Sequence, residues 1–155
     1  MIVMEPIGFV RASRVAPEDD YWGGVESSIV LTDAMEPDAL LGLDAFSHAE
    51  IIYCLDRVAP DGVIRGARHP RNNPDWPRVG IFAQRARNRP NRIGATIVKI
   101  VACEARTLRV LELDAIDNTP VLDIKPVLQA FLPREPVVQP AWSHEMMRAY
   151  WARRA

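Results

Sequence analysis

Cysteine is almost missing: Cys54 and Cys103 are the only two, each inside an apolar segment, and no Cys-x-x-Cys pairing exists. A disulfide framework or a thiolate zinc site is therefore excluded, and both residues read as buried thiols. Glycine is also scarce, and its eight copies never fall as Gly-x-Gly or as Gly-Lys-Ser/Thr. That removes the Rossmann and P-loop fingerprints. His48, His69 and His144 lie far apart, and neither His-Glu-x-x-His nor Gly-x-Ser-x-Gly occurs. No metal centre is expected from such spacing. No apolar run approaches the ~18 residues of a membrane span. Met1-Ile2-Val3-Met4-Glu5-Pro6 has no basic start, no long apolar stretch and no small-residue cleavage site. The reading is a cytoplasmic chain with no membrane partner.

What remains is enough for one compact domain over residues 1–155, with 48% hydrophobic and 25% charged residues. The formal net charge of -1 conceals a division. Residues 1 to 64 carry 3 basic and 12 acidic side chains, whereas residues 65 to 109 carry 11 and 2. A basic segment of this density is either a solvated face or the footprint of a phosphate-bearing ligand.

The apolar runs are short: Ile7 to Val10, Ile29 to Leu31, Ile51 to Leu55, Val79 to Phe82, Ile93 to Val101 and Leu108 to Leu113. Val and Ile dominate them, and Pro, Gly, Asn and Asp clusters separate them, so each reads as a strand. Two helical segments are expected. Pro37 to Leu41 before Gly42 suits a turn or two, and Ser143 to Arg154 suits a C-terminal helix with Ser143 as its cap. The fold class is all-β and mainly antiparallel, a small closed or nearly closed β-barrel with short peripheral helices and a C-terminal helix. Closure removes the exposed edges that so small a sheet would otherwise present.

Three stretches stand out. Asp56 to Arg78 is a long Pro-rich loop, and long loops on a rigid scaffold are where binding residues gather. Directly after the Val79 to Phe82 run, Arg85, Arg87, Arg89 and Arg92 fall within eight residues, with Pro90-Asn91 between them. Guanidinium forks suit carboxylates and phosphates, so this is an anion-reading loop or a basic surface turn. Finally, Leu113 to Pro126 holds Asp114, Asp117, Asp123 and Lys125 around the turn signal Asp117-Asn118-Thr119-Pro120. Asp123 and Lys125 alternate onto one face of the following strand, where their proximity would be structural. Asp117 or Asp123 is alternatively a ligand-facing group.

Glu5-Pro6-Ile7-Gly8-Phe9-Val10-Arg11, Gly42-Leu43-Asp44-Ala45-Phe46-Ser47-His48, the Arg85 to Gly94 loop and Thr119-Pro120-Val121-Leu122-Asp123-Ile124-Lys125-Pro126 together resemble one family, TrmO/YaeB (TsaA-like). The resemblance runs from about residue 4 to 133 and leaves 134–155 as a C-terminal extension. It implies a β-barrel, commonly dimeric, that uses S-adenosylmethionine to methylate N6 of threonylcarbamoyl adenosine (t6A) beside the tRNA anticodon.

On this resemblance the cofactor residues are Asp56, Arg57, Arg85, Ala95, Ala115, Ile116, Asp117 and Asn118. Arg85 matches the family's Ala-Thr-Arg motif, with Gln84 in place of the threonine. Asn118 stands where the family has glycine, and Asp56-Arg57 where it often has His-Gln. Its early Pro-Arg-Gln element is missing. In its place Tyr21 or Trp22 offers a stacking ring for the substrate. The remaining substrate candidates are Arg87, Arg89, Asn91, Arg92 and Lys125, while Asp117 and Asp123 are the candidates for accepting a hydrogen bond from the methylated nitrogen. Larger members have a further C-terminal domain. Two other functions stay open at this point: methylation of a different small amine, and a cofactor-binding module without turnover.

Overall fold

The computed structural model describes residues 1–155. Eight strands form: β1 (Gly8–Ala12), β2 (Glu26–Leu31), β3 (His48–Cys54), β4 (Ala67–Arg68), β5 (Val79–Gly80), β6 (Ile93–Glu104), β7 (Thr107–Leu111) and β8 (Pro120–Pro126). Six of them close into a barrel in the order β1-β2-β7-β6-β3-β8, every pair antiparallel, and β4 pairs with β5 in a separate two-stranded sheet. The expected barrel is thus closed.

Alternation decides which side chains enter it. Along β3, Ala49, Ile51 and Tyr53 are buried while His48, Glu50, Ile52 and Cys54 are less so, the period-two signature of a strand with one face in a core. Val10, Ile29, Leu31, Val98, Leu108, Val110 and Val121 complete the same cluster from the other strands. Two register shifts adjust the ring. One lies between Ile100 and Ala102 of β6, the other opposite Ile52 and Tyr53 of β3. The second skips Leu122, so Val121 and Ile124 both face inward while Asp123 and Lys125 turn outward.

Three expectations are corrected. Val79 to Phe82 is strand only at Val79–Gly80, after which Gln84 N–H bonds back to Ile81 O and makes a 3-10 turn over Ile81–Ala83. Pro37 to Leu41 is a run of turns, followed by a single 3-10 turn over Leu43–Ala45. The C-terminal helix is short: α1 spans Ala141–Met146, and Pro140, not Ser143, is its N-cap. Past Met146 the chain tightens into turns, with Arg148, Tyr150 and Ala152 N–H bonding the carbonyls three residues back, and Ala149, Tyr150 and Ala152 give their carbonyls to the N–H groups of Tyr21, Trp22 and Gly23. This docks the tail on the β1–β2 connection.

The charge division seen in the sequence is partly cancelled by the fold. Arg71 pairs with Asp20 at 3.0 Å and with Asp19 at 3.9 Å, and Arg109 pairs with Glu26 at 2.7 Å. Arg106 instead ties down the β2–β3 connection through the carbonyls of Thr32 and Met35. No helix is long and apolar enough to cross a membrane.

Candidate active site

In an antiparallel ring, connections alternate between the two ends. The β1–β2, β3–β6 and β7–β8 connections all emerge at one end, because the register sets Cys54 against Ile93, Glu26 against Leu111 and Phe9 against Pro120. These three connections hold Tyr21 and Trp22; Asp56, Arg57, Arg85, Arg87, Arg89, Asn91 and Arg92; and Ala115, Ile116, Asp117 and Asn118. Residues far apart in sequence are therefore collected at one mouth. Ala95 lies just inside it, near the start of β6.

The β7–β8 link is pinned to β1. Asp117 Oδ1 accepts from Ala12 N–H at 3.0 Å, Asp117 N–H donates to Arg14 O, and Asn118 N–H donates to Val10 O. Asn118 has φ 66, in the left-handed region that favours glycine and tolerates asparagine. Its side chain takes a hydrogen bond from Arg11 at 3.1 Å. The change from glycine therefore keeps the turn. Thr119 Oγ1 closes it by donating to Ile116 O at 2.7 Å.

Arginines of the β3–β6 connection divide into two kinds. Arg85 is exposed and donates to the Ala95 carbonyl, bringing two resemblance-derived residues into direct contact. Arg87 is exposed, with one long bond of 3.3 Å to Pro17 O. Arg89 and Arg92 are half-buried and hold their own loop: Arg89 binds Gln84 O at 2.8 Å, and Arg92 binds Val58 O at 2.7 Å. Gln84 is buried and holds β4 to β5 through the carbonyls of Arg68 and Val79. Asp56, Arg57 and Asn91 are exposed.

Trp22 is a correction. Its ring is only 2% exposed and lies under the Arg14 guanidinium, 3.5 Å from the ring centroid, so it has no free face for a ligand. Tyr21 remains accessible at 41%. Asp123 and Lys125 are a second correction. They form an ion pair of 2.9 Å on the outside of β8, 47% and 61% exposed, beside Ile52 and Glu50 and away from the mouth. The Asp123 carboxylate holds the Lys125 pKa above its ordinary value.

The most connected group at the mouth is one that sequence reasoning passed over. Asp114, half-buried, accepts from Tyr53 Oη on Oδ1 at 3.1 Å, from Thr96 Oγ1 on the same oxygen, and from Tyr150 Oη on Oδ2. Burial, with the Asp114 charge second, pushes both tyrosine pKa values well above the ordinary range. A β-carbon on Gly94 would lie 2.5 Å from Tyr53 Cζ, so the missing side chain is what admits the ring. The available signal was a glycine inside a strand, a mark of close approach, together with a tyrosine in an apolar strand whose hydroxyl needs a partner. No group of three or more His, Cys, Asp or Glu side chains is placed to hold a metal ion.

Known proteins share this barrel. The profile of the tRNA-methyltransferase O N-terminal domain matches residues 12–131. A probable S-adenosyl-L-methionine-binding protein of Pyrococcus abyssi is 33% identical over 142 residues, covering 88% of this chain and 74% of that protein. The tRNA (adenine(37)-N6)-methyltransferase of Escherichia coli is 39% identical over 97 residues, covering 60% of this chain but 41% of that enzyme. A crystal structure of TrmO from Pseudomonas aeruginosa superposes with a TM-score of 0.72 at 26% identity, over 88% of this chain and 61% of that one. The chain thus spans under two thirds of the relatives named as methyltransferases or as TrmO. With the profile covering most of its length and the barrel shared, this chain belongs to the family of the tRNA-methyltransferase O N-terminal domain.

Proposed function

We propose that the chain is a cytoplasmic S-adenosylmethionine-dependent methyltransferase acting on N6 of a t6A nucleotide beside the anticodon of tRNA, as a homodimer. The observation that carries the reading is the convergence of the β1–β2, β3–β6 and β7–β8 connections at one mouth, where the resemblance sets the cofactor residues. The names of the relatives supply the chemistry: S-adenosyl-L-methionine binding in Pyrococcus abyssi and adenine N6-methylation in Escherichia coli.

The residues present fit this cofactor on one structural point. The mouth offers a half-buried carboxylate, Asp114, with only neutral hydroxyl partners, beside the backbone of a strained turn at Asn118. Bound S-adenosylmethionine supplies an electrophilic methyl group. Arg85 and Ala95, with the Ala115 to Asn118 turn, hold the cofactor, and Asp56 and Arg57 border it. Methyl transfer gains most from placing the acceptor nitrogen in line, so positioning is this protein's main task. Arg87, with Asn91, holds phosphates of a single-stranded loop, Arg89 and Arg92 fix the shape of the segment that presents them to the substrate, and Tyr21 offers a stacking face. Asp117 has one oxygen not used by Ala12, and in this reading that oxygen accepts a hydrogen bond from the acceptor amine, raising its nucleophilicity.

The test is labelled methyl transfer to tRNA carrying unmethylated t6A, with the digested nucleosides identified by mass. N6-methyl-t6A is expected. No transfer by a chain that binds the cofactor would overturn the tRNA assignment.

A further inference from the structure

Asp114 is the one acidic residue of this chain whose carboxylate takes hydrogen bonds from three side-chain hydroxyls, those of Tyr53, Thr96 and Tyr150, and like most of the acidic residues it is in none of the six ion pairs. Hydroxyls satisfy hydrogen-bonding capacity without forming an ion pair, and the Arg85 guanidinium, whose field reaches Tyr53, gives its hydrogen bond to the Ala95 carbonyl instead of to Asp114. A half-buried carboxylate kept in that state costs stability, since taking an ion from water is repaid only by a counter-charge.

Its placement narrows the role. Thr96 lies two residues after Gly94 on the inward face of β6, and Ala95 between them carries the carbonyl held by Arg85. Asp114 immediately precedes Ala115 to Asn118, the turn pinned to β1. The carboxylate therefore stands between the two backbone stretches assigned to the cofactor. Its shell is also separable in origin. Tyr53 and Thr96 come from the barrel wall, whereas Tyr150 comes from the tail beyond residue 131, where the family match ends. Tyr150 is the donor that a ligand can replace without disturbing a strand.

We propose that Asp114 is a cofactor-binding residue and that its carboxylate seats a positive centre of the bound S-adenosylmethionine. This rests on the methyltransferase reading above. S-adenosylmethionine carries a sulfonium and an α-ammonium, its demethylated product keeps only the ammonium, and 5′-methylthioadenosine carries neither. The three share the adenosine, so they form a charge series on one scaffold.

The experiment is calorimetric titration of the unaltered chain and of Asp114→Asn with all three ligands. The substitution keeps the side-chain shape and removes the charge. S-adenosylmethionine affinity is expected to fall tenfold or more, with methylthioadenosine within twofold of the unaltered chain. A loss confined to S-adenosylmethionine assigns the sulfonium, and a loss shared with the demethylated product assigns the ammonium. All three affinities within twofold, or a parallel loss of methylthioadenosine, would overturn the proposal, the second by making Asp114 purely architectural. Should Asp114→Asn not fold, Tyr150→Phe decides: removing one donor leaves the charge less screened, and the ratio of S-adenosylmethionine to methylthioadenosine affinity should rise at least threefold. An unchanged ratio overturns the proposal. If the unaltered chain does not bind S-adenosylmethionine at all, the methyltransferase reading itself falls, a result visible before any variant is made.

Discussion

The Tyr53 ring occupies the space that a side chain at position 94 would need, with Cζ 2.5 Å and Cδ2 3.0 Å from where the β-carbon would stand. Gly94 faces Tyr53 directly across the β3–β6 pair, so the backbone cannot slide to relieve the overlap without breaking register. Gly94→Ala should therefore destabilise the barrel by about 2 kcal/mol, in the range of overpacked cores. In a Tyr53→Leu background the same change should cost much less. Thermal or urea melts of the four proteins of this double-mutant cycle measure the coupling, and additivity would dissociate the two residues.

Alkaline titration reads the same corner. Tyr53 and Tyr150 have folded-state pKa values raised by burial and by Asp114, whereas in the unfolded chain both return to their ordinary value of 10.0. Between those limits the unfolded state has lost protons that the native state keeps, so their contribution to stability is complete below about pH 10 and declines as pH rises above it. The melting temperature should fall more steeply above pH 10 than in a Tyr53→Phe, Tyr150→Phe double variant. Absorbance at 295 nm should show Tyr53 and Tyr150 ionising only as the protein unfolds.

Arg87 and Arg92 should separate under salt. Arg87→Ala removes an exposed cation whose only hydrogen bond is long. It should lower tRNA affinity and flatten the salt dependence by about 0.7 in log-log slope, one phosphate's worth on a single strand. Arg92 has φ 52 and holds Val58 O at 2.7 Å. Its replacement should instead loosen the loop, seen as faster amide exchange around Val58. Equal salt slopes for the two variants would contradict the division into free and loop-holding arginines.

The tail gives a fourth expectation. A β-carbon on Gly23 would overlap Trp151 O and sit 2.9 Å from its carbonyl carbon, so Gly23→Ala should detach residues 149–152 from the β1–β2 connection. Limited proteolysis should then cut within the tail while leaving the barrel whole. Acid should act in the same direction. Glu18 is held below its ordinary value of 4.5 chiefly by its hydrogen bond with Arg154, so the part of the attachment that this ion pair supplies is complete above that pH and lost as pH falls through the depressed value. Unchanged protease sensitivity of the tail at pH 3 would count against it.

How far the sequence led depended on the kind of signal. Barrel strands such as β3 were legible because one face is buried, and Ala49, Ile51 and Tyr53 alternate accordingly. The mouth was legible in its loops, where Arg85 to Arg92 and Asp117 to Pro120 are compositional outliers. Trp22 and Asp123 were misplaced for opposite reasons. Trp22 is covered by Arg14 and a tail more than a hundred positions away, and Asp123 is turned outward by the skipped residue Leu122. Neither event leaves a local trace. Asp114 was hidden because its partners come from β3, β6 and the tail, and only the fold brings hydroxyls from three segments to one carboxylate.

The ring closes through Gly8 on Val121 and Phe9 on Pro120, strands more than a hundred positions apart in the chain. By contrast β6 and β7 meet across a two-residue connection and form a hairpin by themselves. Loop-closure entropy and long sequence separation make the first pairing the late one in folding and the second an early one. The mouth inherits that timetable, because Asp114 to Asn118 precede β8 and take their position from β1. Cofactor binding would then report ring closure, and a ligand present during refolding would speed only the passage from an open, hairpin-containing chain to the finished barrel.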